Sequence, residues 1–375
     1  MTTIDALATQ RAVVVCCGTG GVGKTTTAAA IALEAARRGR IACVVTIDPA
    51  KRLANALGLE ALSDTAAEIP RSVWDPNGES AGQLWALMLD TKTTFDKVVT
   101  RYAGDDEQAR RILDNRFYRN ISGAIGGTQE YMAMEKLHEL HASGTYDVVV
   151  VDTPPTRHAL DFVDAPARLL RLLDNRIFRM LMMPTRAYMK LAGAAVQTFL
   201  RTVSRVVGKD VIDDIVAFFR AFEGMEAGFR ERAHHVQALI ADPGTAFTLV
   251  TTPRRDAVDE AEFFARRLTD HHLSVDALIV NRVQPSFSDR APAELAARAD
   301  ALTASDPALS ARYRVLADLE AIAARERSEI ARVHERVPDT PVVMIPLLTR
   351  DVHDLASLTT IAGLLFGPGT VAEAG

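Results

Sequence analysis

CCGTGGVGKTTTAAA, residues 16–30, is the stretch on which the rest of this chain is read. It holds the spacing Gly18-x4-Gly23-Lys24-Thr25. The run before it, RAVVVCC, is short, apolar and β-branched, as a buried strand requires. The run after it, TTTAAAIALEAARR, is built from helix formers and stops at Gly39. Glycines between a strand and a helix let the backbone curl so that several N–H groups face one anion. The helix N-terminus adds partial positive charge at the same place. The spacing therefore predicts a phosphate-binding loop formed by Gly18, Thr19, Gly20, Gly21, Val22, Gly23, Lys24, Thr25 and Thr26. Lys24 would reach the outer phosphates, and the Thr25 hydroxyl would ligate Mg²⁺.

Working outward, strand-like apolar runs recur at 12–17, 41–48, 84–90, 146–153, 246–252, 277–281 and 341–346, with helical patterns between most of them. Near-continuous apolar strands alternating with helices predict an α/β fold with a mainly parallel, doubly wound sheet. Two long stretches carry only helical patterns and read as an inserted helical subdomain. The expected organisation is a phosphate-loop half over 1–90, a first helical part over 91–145, a switch segment over 146–160 and a second helical part over 161–240. The rest of the sheet domain covers 241–366, with a charged helical excursion at 290–337, and residues 367–375 read as a disordered tail.

Composition narrows the function classes. The chain has 375 residues, 48% of them hydrophobic and 24% charged, as a globular protein of one or two domains does. A net charge of −5 argues against a nucleic-acid-coating protein. The N-terminus MTTIDALATQ has no basic or apolar leader pattern, and no apolar run reaches spanning length. The expected location is cytoplasmic, with peripheral membrane contact left open. Cys16, Cys17 and Cys43 all fall in predicted strands and form no C-x-x-C, so neither a zinc nor an arsenite site is expected.

Two carboxylates end strands where open α/β sheets bind ligands. Asp48 could orient or deprotonate a water, or simply cap the helix that follows. Asp152, after four valines, has the form of a second Mg²⁺-organising position, with a strand-end cap as the plainer alternative. Asn281 also ends a strand, where it could pair with a base edge or do nothing more than terminate the strand. His158 is a lone histidine, most simply structural.

Taken together, GTGGVGKTT, TIDPAKRLANALG, VVVVDTPPTRHALDFVDAP, VNR and IPLL occur in an order that resembles the arsenite-pump and tail-anchored-protein-targeting ATPases. The likeness covers about 1–60 and 120–366 and is greatest to actinobacterial members that occur as paired, unequal paralogues. It implies ATP and Mg²⁺ as ligands, with Lys24 and Asp48 catalytic and Thr25, Asp48 and Asp152 around the metal. It further implies coupling of the γ-phosphate to the helices through Thr153, Pro154 and Pro155 and an adenine pocket at Asn281, Pro346 and Leu347. The family's signature lysine, which reaches a partner's phosphates, is Thr19 in this chain. The resemblance thus implies either a homodimer or a heterodimer with a lysine-bearing paralogue. A local cation, Lys51 or Arg157, is a third way to supply the charge.

The second helical part carries one more signal. Val196, Phe199, Leu200, Val203, Val206 and Val207 share a helical face, with Met180, Met182 and Met183 upstream. Residues 165–209 hold nine Arg/Lys and one acidic residue. Such a region is either subdomain core or a surface for an apolar helical client or an anionic membrane. Two functions follow as expectations: a dimeric Mg-ATPase driving a client surface, or a nucleotide-binding regulatory subunit with little turnover.

Overall fold

The structure, a computed structural model, describes residues 3–47, 52–116, 118, 128–154, 159–175 and 209–367. Asp48, Lys51, Pro155, Arg157 and His158 lie outside the described residues, as do the methionines and apolar stripe within 176–208 and the tail beyond 367.

Eight strands form one sheet: β1 (Val13–Cys17), β2 (Ile41–Thr46), β3 (Ala67–Glu68), β4 (Gln83–Met88), β5 (Val148–Asp152), β6 (Thr245–Thr251), β7 (Ala277–Val283) and β8 (Val342–Pro346). Their order is β3-β4-β2-β5-β1-β6-β7-β8. The pairs β1–β5, β1–β6, β2–β5, β6–β7 and β7–β8 are parallel. The mainly parallel α/β sheet expected from the valine-rich runs is the one found. The edge pair β3–β4 is antiparallel, and β3, only two residues long, has no counterpart among the expected strands.

Helix Lys24–Arg37 lies in the interior, with ten of its residues buried, and packs on β2, β5 and helix Leu355–Phe366. Its run of alanines lets these elements approach closely. The chain divides into two compact units, residues 1–87, 145–159 and 243–375 in one and 88–144 and 160–242 in the other. The first contains the whole sheet except the last residue of β4.

The second unit is helical among its described residues. Its core is aromatic rather than alanine-rich: Tyr118 stacks on Phe95, with ring centroids 5.2 Å apart, and on Phe218 at 6.1 Å. Its phenol donates to Asp96. Helices Thr128–Ala142 and Glu226–Ile240 are joined by a buried ion pair, Arg232 to Glu135 at 2.8 Å. One turn along, His138 stacks on His235 with centroids 5.8 Å apart. Burial, reinforced by Arg232, His235 and His141, lowers the His138 pKa from its ordinary 6.5 to about 4.

A depressed histidine pKa means that the unfolded chain binds the extra proton between pH 6.5 and about 4. Stability contributed by neutral His138 is therefore present above pH 6.5 and is lost as the pH falls towards 4. The thermal midpoint should fall across this window, and His138→Gln should flatten that slope. Calorimetric scans of both proteins at pH 7.5, 6, 5 and 4.5 check this, and parallel slopes would refute it.

Candidate phosphate-loop site

The loop between β1 and helix Lys24–Arg37 is built by backbone requirements before any side chain acts. Gly18 has φ +148°, and a Cβ there would lie 2.1 Å from the Val250 carbonyl oxygen of β6. Gly23 is left-handed at φ 104°, and a Cβ would lie 2.3 Å from the Asn281 amide nitrogen. Helix Lys24–Arg37 therefore starts on a glycine, with no side chain capping it. Most helices fill that position with Ser, Thr, Asp or Asn. Leaving it unfilled presents first-turn amides and the positive helix end to an anion.

The functional side chains converge there. Lys24 is buried, and its Nζ donates to the Thr19 carbonyl at 2.8 Å. The Thr25 hydroxyl donates to Asp152 Oδ2 at 2.7 Å, and Thr46 Oγ1 donates to the same oxygen at 2.9 Å. Thr153 Oγ1 donates to the Cys16 carbonyl at 2.8 Å, fixing the residue after Asp152 against β1. A cavity of about 700 Å³ opens over the loop. Lys24, Thr25, Asp152, Asn281, Pro346 and Leu347 all line it. Residues from opposite ends of the sequence, expected at the phosphate and base ends of one nucleotide, thus share one cavity.

Sequence reasoning missed several of the walls. The missed walls include Arg52, Arg282, Arg350 and His353. Of these, Arg52 stood inside TIDPAKRLANALG and Arg282 inside VNR, and neither received a function. Behind them, Thr46 opens the TIDPAKRLANALG stretch without a function read from it, and the parallel register that sets it beside Asp152 gives it one.

The cysteines take no part in this chemistry. All three are buried and none is in a disulfide. Burial, then the nearby Asp152 charge, raises the Cys16 pKa, and burial pushes Cys17 up to about 12. Both thiols are held neutral, whereas soft metal ions bind the thiolate. Thr25 and Asp152 present hard oxygen donors, the donor type that suits Mg²⁺. Among the described residues no helix is long and apolar enough to cross a membrane.

Comparison with known proteins agrees with this geometry. A family model described as anion-transporting ATPase matches residues 11–303. ATPase GET3 of Malassezia globosa is 25% identical over 360 residues, covering 94% of this chain and 90% of that protein. A putative arsenical pump-driving ATPase 1 of Aquifex aeolicus is 23% identical over 357 residues, covering 93% and 77% respectively. ATPase get3 of Aspergillus terreus is 24% identical over 272 residues, 71% of each chain.

The contact between Gly18 and β6 leaves no room for a methyl group. Gly18→Ala should destabilise the protein by about 2–4 kcal/mol, since backbone rather than a mobile side chain blocks the Cβ. Urea unfolding measures this, and a midpoint equal to wild type would show that the loop can move away from Val250.

Proposed function

Since the chain belongs to the anion-transporting ATPase family and is an ATPase by that membership, we propose that it binds Mg-ATP at the phosphate loop and hydrolyses it as a dimer. The nucleotide state then controls a helical surface that receives an apolar client helix or rests on a membrane. The observation that carries the nucleotide part is the contact of Thr25 Oγ1 with Asp152 Oδ2 at 2.7 Å, beside Lys24 and an uncapped helix start. Lys24 binds and orients the outer phosphates, the loop amides hold their oxygens, and Asn281, Pro346 and Leu347 receive the base. Thr25 and Asp152 would hold Mg²⁺, which supplies positive charge to the phosphate oxygens. Asp48, read from its strand-end position and from the resemblance, orients and deprotonates the attacking water.

The client part rests on the names of relatives and on the basic, methionine-containing segment 165–209. The ATPase GET3 relatives and the arsenical pump-driving relative offer two directions. Three buried cysteines, with the Cys16 and Cys17 thiols held neutral, argue against arsenite as the species sensed in the sheet unit. A cytoplasmic protein with peripheral membrane contact fits this reading.

A second reading is favoured by one residue. Thr19 stands where the family's cross-dimer lysine would be, so each site of a homodimer lacks the cation that a partner would bring to the transferring phosphate. The chain would then be a nucleotide-binding regulatory subunit that turns over slowly until a lysine-bearing paralogue joins it.

Lys24→Ala should weaken Mg-ATP binding by at least about a hundredfold, because a buried charge-assisted contact to the phosphates is lost. Titration calorimetry decides this, and an affinity near wild type would sink the assignment of the site.

The two readings separate on Thr19→Lys. If the charge must come from position 19, this variant should raise steady-state phosphate release by the protein alone, by roughly 10³-fold if the lysine matches the trans arginine of related enzymes. If wild type is already fast and the variant no faster, the charge comes from elsewhere and the regulatory reading fails.

A further inference from the structure

β7 does not finish as a regular strand. Val280 pairs with Met344 and Val283 with Pro346, so three steps along β7 match two along β8. One extra residue is therefore inserted at Asn281–Arg282, a bulge beside the cavity. Arg282 absorbs it with a left-handed backbone, φ +61°. For a residue with a Cβ this conformation is strained, and such outliers persist where the surroundings enforce them.

The consequence is local. In a regular strand, successive side chains point to opposite faces. Through the bulge, two successive side chains reach the same loop. Asn281 Nδ2 donates to the Val22 carbonyl at 2.8 Å, and Arg282 Nη1 donates to the Gly21 carbonyl at 3.2 Å. The two anchored carbonyls are themselves consecutive. Asn281 Oδ1 also accepts from the Arg282 backbone N–H at 2.9 Å, which stiffens the bulge. Pairing then resumes, with Leu347 N donating to the Val283 carbonyl at 2.8 Å.

A phosphate loop works by turning its N–H groups inward, so its carbonyls face outward and need partners of their own. Gly20 and Gly21 are its exposed part, and Gly21, at φ 79°, has no side chain to fasten it. We propose that Arg282 is a positioning residue for ATP binding, its guanidinium holding the Gly21 carbonyl outward so that the loop stays shaped for phosphate. Asn281 does the same one residue later, and β7 thereby connects the base end of the cavity to the phosphate end. The inference rests on the nucleotide reading of the site and names a residue that this reading leaves without a role.

Arg282→Gly tests it, because glycine accepts φ +61° without strain. If the arginine only fills a turn, this variant should be as stable as wild type, or more so, and bind equally well. If it positions the loop, thermal stability is kept or raised, while affinity for Mg-ATP and for inorganic tripolyphosphate falls roughly tenfold in each case. The ratio of ATP to GTP affinity stays constant, since the base contacts are untouched. Arg282→Lys, which keeps a donor of similar reach, should recover part of the loss. Unchanged tripolyphosphate affinity in a stable Arg282→Gly protein would overturn the proposal, as would a loss confined to base discrimination. Failure of wild type to bind Mg-ATP at all would instead overturn the nucleotide reading, and the proposal with it.

Discussion

The Asp152 carboxylate is the joint on which the site depends. It ends β5, which lies between β2 and β1. The parallel registers set it level with Thr46 on one side and Cys16 on the other. At 1% exposure it is cut off from water, and a buried carboxylate is tolerable only where hydrogen bonds replace hydration. Hydroxyls from β2 and from the first turn of helix Lys24–Arg37 both supply such bonds to Oδ2. Two consecutive elements, the helix and β2, are thereby fixed to β5, far away in sequence, through one oxygen, and Thr153, the next residue, is secured to β1. The position of Thr25, and with it the opening of the loop, follows from the sheet register rather than from the loop sequence alone.

This explains which features the amino-acid sequence disclosed. The β5 run of four valines and an aspartate announces a buried strand with a charged end, because no other arrangement hides those side chains. The glycines around Lys24 announce the loop, because only glycine meets its backbone angles and its contact with Val250. The boundaries were less legible: β2 stops at Thr46, and β4 stops at Met88, where Asp90 caps the next helix through Thr93 N. β3 left no signal because two exposed residues carry no period. The bulge in β7 left none either. ALIVNRV reads as an ordinary strand and its end, and the extra residue appears only against the partner strand. Thr46 and Arg282 stood inside quoted motifs, but their roles were invisible for the same reason, since each takes its role from a neighbour far away in sequence.

The two units solve burial differently. Around helix Lys24–Arg37 the core is made of alanine, valine, leucine and isoleucine, small and stiff, so sheet and helices interlock closely. In the helical unit, stacked aromatic rings fill the space, and charge is enclosed with them. Glu135 is 1% exposed and is held by Arg232 from another helix. An enclosed ion pair of this kind adds little net stability, but it penalises arrangements that separate its partners. It therefore fixes which turn of helix Thr128–Ala142 faces which turn of helix Glu226–Ile240.

The geometry also separates two matters that the loop sequence runs together, the loop's integrity and its charge. Lys24 closes the loop on the carbonyl of residue 19, not on its side chain. Any amino acid at that position can offer a carbonyl, so threonine there does not weaken the closure. Asn281 and Arg282 likewise bind carbonyls, of Val22 and Gly21. The scaffold of the loop is thus held through backbone atoms, indifferent to the residue at 19. That side chain, half-buried next to the exposed Gly20 and Gly21, is left to decide only what charge projects from the loop. A site built this way can lose or regain a cation without refolding.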